Sequence, residues 1–304
     1  MQFLFCSGAE YLKIPIIEKG FRLIRSKTQK FANGEMAVSI IDEIDVDEPV
    51  CVMQSVALGN VNDYVIELLL CLDALKRVGV SVIDIVLPYM PYARQDRPMD
   101  HGYSVGAKVM INLLSEYNPR SVSTIDIHND RIVAFMDNEM VNITSDIIFE
   151  NDIKAKFPKI KDKSIIFVAL DIGGAVRVRT FADLFGTEYA VVDKRRINGK
   201  SEAIRIVGDV YGKTCIIVDD MIDSGGTLFR GAELLTKNGA KEIFCYITHP
   251  VISNPEKFVT DLLASKITHL TVSNTMNNIV DNKKISYISC INSIVDSVIN
   301  RVRR

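Results

Sequence analysis

Short runs of apolar and β-branched residues recur along the chain, separated by longer stretches whose apolar residues return every three or four positions. The runs include 50–56, 81–87, 121–127, 164–170, 189–192, 215–218 and 242–248. Uninterrupted apolar runs of this length fit strands buried on both faces of a parallel sheet. The intervening helices have readable ends. Asn62 is placed to cap a segment carrying Leu69, Leu72 and Leu75 that stops at Gly79. Thr227 opens another, with Leu228, Ala232 and Leu235 on one face and Gly239 just past its end. Alternation of this kind predicts an α/β protein, its mostly parallel sheets flanked by helices.

The chain has 304 residues, enough for two domains with full cores. Composition changes most at 152–163, where Lys154, Lys156, Lys159, Lys161 and Lys163 surround Pro158. That stretch reads as a solvated helix and turn entering the strand at Ser164, and it puts the boundary at 140–150. The expected domains are therefore 1–145 and 146–304, the last helix packing back on the first domain.

Lys plus Arg number 36 against 38 Asp plus Glu, a net charge of -2, which gives no general electrostatic case for nucleic acid or an anionic membrane. No apolar stretch approaches the ~20 residues of a membrane span; the run from Val65 is interrupted by Glu67. The start, Met1 to Cys6, lacks the basic region and apolar length of a signal peptide. The six cysteines have no Cys-x-x-Cys spacing and read as small buried hydrophobes in a reducing compartment. A cytoplasmic protein is expected.

The strongest chemical signal is Ile216-Ile217-Val218-Asp219-Asp220-Met221-Ile222-Asp223-Ser224-Gly225-Gly226-Thr227. A buried strand closes on two carboxylates, and a loop of small residues then opens a helix. Glycines let backbone N–H groups converge, the helix start adds positive potential, and Ser224 and Thr227 supply hydroxyls, so the loop suits a phosphate. Asp219 and Asp220 suit sugar hydroxyls or a hydrated Mg²⁺. The string resembles the phosphoribosyl diphosphate-binding motif of the type I phosphoribosyltransferase-like fold. Two enzyme classes share it: transferases that consume that compound and synthetases that make it.

Other segments decide between them. Tyr92-Ala93-Arg94-Gln95-Asp96-Arg97, Asp126-Ile127-His128-Asn129-Asp130, Asp171-Ile172-Gly173-Gly174-Ala175-Val176-Arg177 and Asp193-Lys194-Arg195-Arg196 each follow a predicted strand. The carboxyl ends of strands are where open α/β sheets bind ligands. Taken singly, each has an ordinary explanation: a surface ion pair, a structural histidine, a tight turn, a solvated basic patch. With Phe31-Ala32-Asn33-Gly34-Glu35, however, they resemble the ordered motif set of the ribose-phosphate diphosphokinases, over about residues 5 to 300.

That resemblance implies two similar phosphoribosyltransferase-type domains, an ATP side first and a ribose 5-phosphate side second, and transfer of the β,γ-diphosphate of ATP to the anomeric hydroxyl of ribose 5-phosphate. It implies Lys194 and Arg196 as the cations that meet developing charge; the residues that follow, 197–201, include Asn198-Gly199 and read as a flexible loop able to close over the site. Arg94, Gln95, Asp96 and Arg97 would bind ATP, with Phe31, Asn33 and Glu35 reaching adenine from a neighbouring subunit of a homo-oligomer, a dimer or hexamer. Asp219, Asp220, Asp223, Ser224, Gly225, Gly226 and Thr227 would bind ribose 5-phosphate. His128 and Asp171 would hold Mg²⁺, the histidine through water, since imidazole is an unusual partner for so hard an ion. The sequence departs from the family pattern at 98–104, which lacks Lys and Arg, at 129–135, and at Ser224, where threonine is commoner. The first departure removes the basic stretch that helps bind regulatory phosphate or ADP.

Overall fold

The computed structural model describes residues 1–197 and 200–302, with the backbone alone at 194–197, 200–204 and 300–302. The chain forms two compact units, one of Met1–Thr144, Thr275–Asn277 and Cys290–Arg304, the other of Ser145–Asn274 and Asn278–Ser289.

The first unit begins with β1 (Gln2–Phe5), α1 (Ile14–Glu18), β2 (Arg22–Ile24), β3 (Ser26–Lys30), β4 (Met36–Ile40) and β5 (Val50–Met53). It continues through α2 (Val61–Arg77), β6 (Ile83–Leu87), α3 (Gly106–Ser115), β7 (Ser121–Ile125) and β8 (Glu139–Ile143). Among the described residues its main sheet has six strands in the order β2-β1-β5-β6-β7-β8, every pairing parallel. β3 and β4 form a separate antiparallel hairpin. Every residue of β5, β6 and β7 is buried, as strands covered on both faces require. Asp84 in β6 is tolerated there because Arg120 Nε (3.0 Å) and Ser121 Oγ (2.7 Å) donate to it.

α2 buries Val65, Leu68, Cys71, Leu72 and Leu75, each apolar side chain of that size contributing roughly 1.5–3 kcal/mol. Leu69, expected on that face, is only partly buried. Asn62 is not the cap. The helix starts one residue earlier with Asn60 before it, and the Asn62 side chain instead accepts a hydrogen bond from the Tyr92 hydroxyl. Glu67, the charge that breaks the apolar run, lies within the core and accepts from Ser7 N (3.1 Å), Thr28 Oγ1 (2.7 Å) and Gln54 Nε2 (2.9 Å).

The second unit runs α4 (Asp146–Lys156), β9 (Ile165–Ala169), α5 (Ala175–Phe185), β10 (Glu188–Ile197), β11 (Lys200–Val207), β12 (Thr214–Ile222), α6 (Gly226–Lys237), β13 (Glu242–Pro250), α7 (Pro255–Ala264), β14 (His269–Ser273) and β15 (Ile285–Ile288). Its sheet has the order β11-β10-β9-β12-β13-β14-β15 among the described residues, parallel throughout except at β10–β11. The last helix, α8 (Ile291–Val302), groups with the first unit, against α1 and β8. Each unit has its own apolar core.

All six cysteines are buried and unbridged, and burial pushes the thiols of Cys215 and Cys290 up to about 12. His249 is buried, as a structural histidine would be. No described helix is long and apolar enough to cross a membrane.

Two strands outrun their apolar signals. The run 215–218 is the middle of β12, which continues to Ile222, so Asp219 and Asp220 lie within a strand and Asp219 pairs with Ile247 of β13. The run 189–192 is only the first half of β10, which continues through Asp193-Lys194-Arg195-Arg196 to Ile197. β10 pairs with β9 only from Glu188 to Val191, and beyond that its partner is β11. A two-stranded antiparallel ribbon is held by backbone bonds and needs no continuous apolar run. That is why its outer half is not legible as strand.

Candidate functional site

In the second unit the acidic pair is built by three elements. β12 presents Asp219 and Asp220 near its carboxyl end, with Asp220 N donating to Asp219 Oδ1 at 3.0 Å. α5 supplies Arg177, whose Nη1 lies 3.5 Å from Asp219 Oδ1 and 3.8 Å from Asp220 Oδ1. The turn after β9 supplies Asp171, whose Oδ1 accepts from Gly174 N at 3.1 Å and so fixes the backbone from which α5 starts. Asp220 is buried and Asp219 partly so. The Asp219 carboxyl is held well above the usual range, first by burial and then by the Asp220 charge, with Arg177 pulling the other way and Asp171 adding to the rise. Arg177 was legible as part of the segment at 171–177, but nothing in the sequence singled it out from other arginines.

The loop after β12 turns at Gly225, whose φ of 75° admits glycine with least strain. A Cβ there would come within 2.4 Å of the Phe229 ring. Gly226 begins α6, rather than Thr227, and Ser224 and Thr227 are exposed at this helix start. Backbone N–H groups and the helix dipole favour an anion at such a place. Asp223 belongs to the same loop but is already engaged: its Oδ1 accepts from Ser253 N at 3.0 Å and from the Ser253 hydroxyl. Ser253 was not foreseen, because it lies thirty residues away on the segment after β13.

Lys194 and Arg196 occupy alternate positions of β10, opposite Ala203 and Ser201 of β11, just beyond an irregularity at Asp193/Lys194. They are therefore on a hairpin arm rather than in a strand-end loop as expected. Of the expected closing loop, residues 198 and 199 lie outside the described residues. Asp193, at the base of the arm, accepts from Arg205 Nε at 3.2 Å.

In the first unit, two predicted segments meet at the carboxyl ends of the neighbouring strands β6 and β7. After β6 the chain turns at Tyr92 (φ 63°) and exposes Arg94, Gln95 and Arg97. After β7 it turns at Asp126 (φ 42°) and exposes His128. Asn129 joins the two, donating from Nδ2 to Asp96 while its Oδ1 accepts from Arg131 N at 3.1 Å. Phe31, Asn33 and Glu35 form the exposed turn of the β3–β4 hairpin, where Phe31 N donates to Glu35 O at 2.8 Å and Glu35 N to Asn33 Oδ1 at 3.1 Å. Thr28 and Lys30 tie the hairpin to α2 through Glu67 and Asp63.

Among the described residues no three His, Cys, Asp or Glu side chains form a metal cage. An exposed carboxylate such as Asp171, with one oxygen occupied by Gly174 N, fits an ion that fills its shell with water and phosphate oxygens, as Mg²⁺ does.

Residues 5–117 match the family described as the N-terminal domain of ribose phosphate pyrophosphokinase, and residues 192–304 the phosphoribosyl synthetase-associated domain. The ribose-phosphate pyrophosphokinase of Hyphomonas neptunium is 40% identical over 271 residues, covering 86% of this chain and 85% of the relative. That of Maricaulis maris is 37% identical, covering 89% and 83%. That of Helicobacter hepaticus is 34% identical over 307 residues, covering 98% and 95%. Among solved structures, the phosphoribosylpyrophosphate synthetase of Mycobacterium smegmatis superposes with a TM-score of 0.88 at 26% identity, over 99% of this chain and 98% of that one.

Proposed function

Since the chain belongs to the ribose-phosphate pyrophosphokinase family, we propose a division of labour among its residues for the reaction that family performs. The enzyme transfers the β,γ-diphosphate of ATP to the anomeric hydroxyl of ribose 5-phosphate, giving phosphoribosyl diphosphate and AMP. The observation that carries this reading is similarity over 86–98% of the chain, at 34–40% identity. A phosphoribosyltransferase would account for the segment at 219–227 alone.

Ribose 5-phosphate sits with its hydroxyls on Asp219 and Asp220 and its phosphate at the Ser224–Thr227 turn, where Ser224 and Thr227 hydroxyls and the start of α6 face it. Asp223 serves the site by fixing the loop to Ser253 rather than by touching the phosphate, where two negative groups would repel. ATP is held by Arg94, Gln95, Asp96 and Arg97, with Phe31, Asn33 and Glu35 of a neighbouring subunit at the adenine. The anomeric oxygen attacks the β-phosphorus, the bond from that phosphorus to the bridging oxygen of AMP breaks, and negative charge accumulates on the departing AMP oxygen. Alignment and charge neutralisation dominate such transfers. Lys194 and Arg196 meet that charge, the guanidinium able to grip two oxygens and the ammonium acting as a point charge. Mg²⁺ supplies further neutralisation when bound, with Asp171 and, through water, His128 as its protein partners. The enzyme works as a cytoplasmic homo-oligomer.

The test is direct. Incubating the protein with ATP, Mg²⁺ and ribose 5-phosphate should yield AMP and phosphoribosyl diphosphate in equal amounts. Formation of ADP and a ribose bisphosphate would overturn the reading.

A further inference from the structure

The acidic pair on β12 has one cation within reach of both carboxylates in the described structure, and the motif does not account for it. Arg177 stands in the first turn of α5, and a single nitrogen of its guanidinium approaches both Asp219 (3.5 Å) and Asp220 (3.8 Å). Its side chain is only 16% exposed and that of Asp220 only 9%, so the charges interact with little screening by water. These separations are longer than a two-pronged arginine–carboxylate grip, which would saturate the acceptors of one aspartate. The geometry is that of a counter-charge shared between two carboxylates rather than locked onto one.

The helix does not need Arg177 for its place in the fold. α5 is anchored by buried Val178, Phe181, Ala182 and Phe185, with Phe185 stacked and Phe181 tilted against Phe167 of β9. Its start is fixed by Asp171, which accepts from Gly174 N. A guanidinium placed two residues along is thereby held at a set distance from β12. Removing it takes a shared positive charge away from two neighbouring carboxylates in a partly dry site, which favours protonation or displacement of one of them.

We propose that Arg177 is a positioning residue of the sugar site, the shared counter-charge that keeps both Asp219 and Asp220 available as acceptors for the ribose hydroxyls. The proposal rests on the reading of Asp219 and Asp220 as the ribose-binding pair. It assigns Arg177 no contact with ATP and no part in the charge of the transferring group, so its loss should be felt in one substrate alone.

Steady-state kinetics on Arg177→Met and Arg177→Lys, with Asp219→Asn as reference, tests it. Methionine keeps the stem and removes the charge. It should raise the KM for ribose 5-phosphate roughly 10–100-fold, the loss expected when hydrogen bonds to charged acceptors are spoiled. The KM for ATP should stay within about twofold and kcat should fall far less than the sugar KM rises. Lysine restores a cation at similar reach and should recover most of the sugar KM, which a purely structural role for the guanidinium would not allow. If both variants raise the two KM values together, or lower kcat with the sugar KM unchanged, the proposal is wrong. An unaffected sugar KM in Asp219→Asn would mean the ribose-binding reading itself has failed; a raised one with Arg177→Met at wild-type values would sink only the role of Arg177. Should Arg177→Met be too unstable to assay, Arg177→Gln takes its place, with the same rise expected in the sugar KM alone and the proposal wrong if both KM values rise together.

Discussion

At the scale of single residues, the reaction rests on charges set at fixed positions. Lys194 and Arg196 are on the β10 arm, opposite Ala203 and Ser201. Replacing either with alanine should lower kcat by roughly 10²–10³, the scale for one lost donor to developing charge, while both KM values change little. Rapid-quench and steady-state rates would check it, and a kcat near wild type would remove that residue from the mechanism. Gly225 makes a different kind of demand. Its φ is 75° and an added Cβ would meet the Phe229 ring at 2.4 Å and Phe258 at 3.0 Å. Gly225→Val should therefore move the start of α6 and abolish ribose 5-phosphate binding with ATP binding retained, measurable by calorimetry. Loss of ATP affinity with the sugar phosphate still bound would mean the two sites have been assigned in reverse.

At the scale of elements, loops after strands carry the differences between this chain and its family. The segment after β6 passes from Arg97 to Ser104 through Pro98, Met99, Asp100, His101, Gly102 and Tyr103, all exposed. It offers a carboxylate and no Lys or Arg, whereas multiply charged anions are usually held by clusters of basic groups. Activation by inorganic phosphate should accordingly be weak, and ADP should inhibit in simple competition with ATP. Initial rates over a phosphate series, with ADP titrated at several ATP concentrations, would show this. Strong phosphate dependence with non-competitive ADP inhibition would place a regulatory site on other elements. In the neighbouring loop, Asn129 ties the His128 turn to Asp96.

At the scale of the whole molecule, the proposed adenine site, completed by Phe31, Asn33 and Glu35 of a neighbouring subunit, would make activity a property of the assembly. Phe31 is exposed at the hairpin turn, where a neighbouring molecule can reach it. Phe31→Ala and Lys194→Ala proteins should each be nearly inactive, yet mixing them under conditions that exchange subunits should restore part of the activity. Some mixed interfaces would then pair an intact Phe31 with an intact Lys194. Absence of recovery, with subunit exchange verified by mass spectrometry, would show that each chain supplies its own Phe31.

The hydrophobic pattern by itself determined the α/β class, because strands covered on both faces are mostly apolar, as 164–170, 215–218 and 242–248 are, and these short β-branched runs alternate with helix-period stretches. It also determined the order of the polar clusters that follow those strands, since chain connectivity places them there whatever the packing. Tertiary structure decided what apolar burial does not report. Backbone pairing with β11 carries β10 out to Ile197, turning an expected loop into a hairpin arm for Lys194 and Arg196. Hydrogen bonds between segments distant in sequence gave Asp223 to Ser253, Asp96 to Asn129, and Glu67 to the core. The same holds for Arg177, which stands forty-two residues from Asp219 along the chain. A charge is assigned to its partner by distance in space, and local sequence carries no measure of that distance until the sheet has brought α5 beside β12.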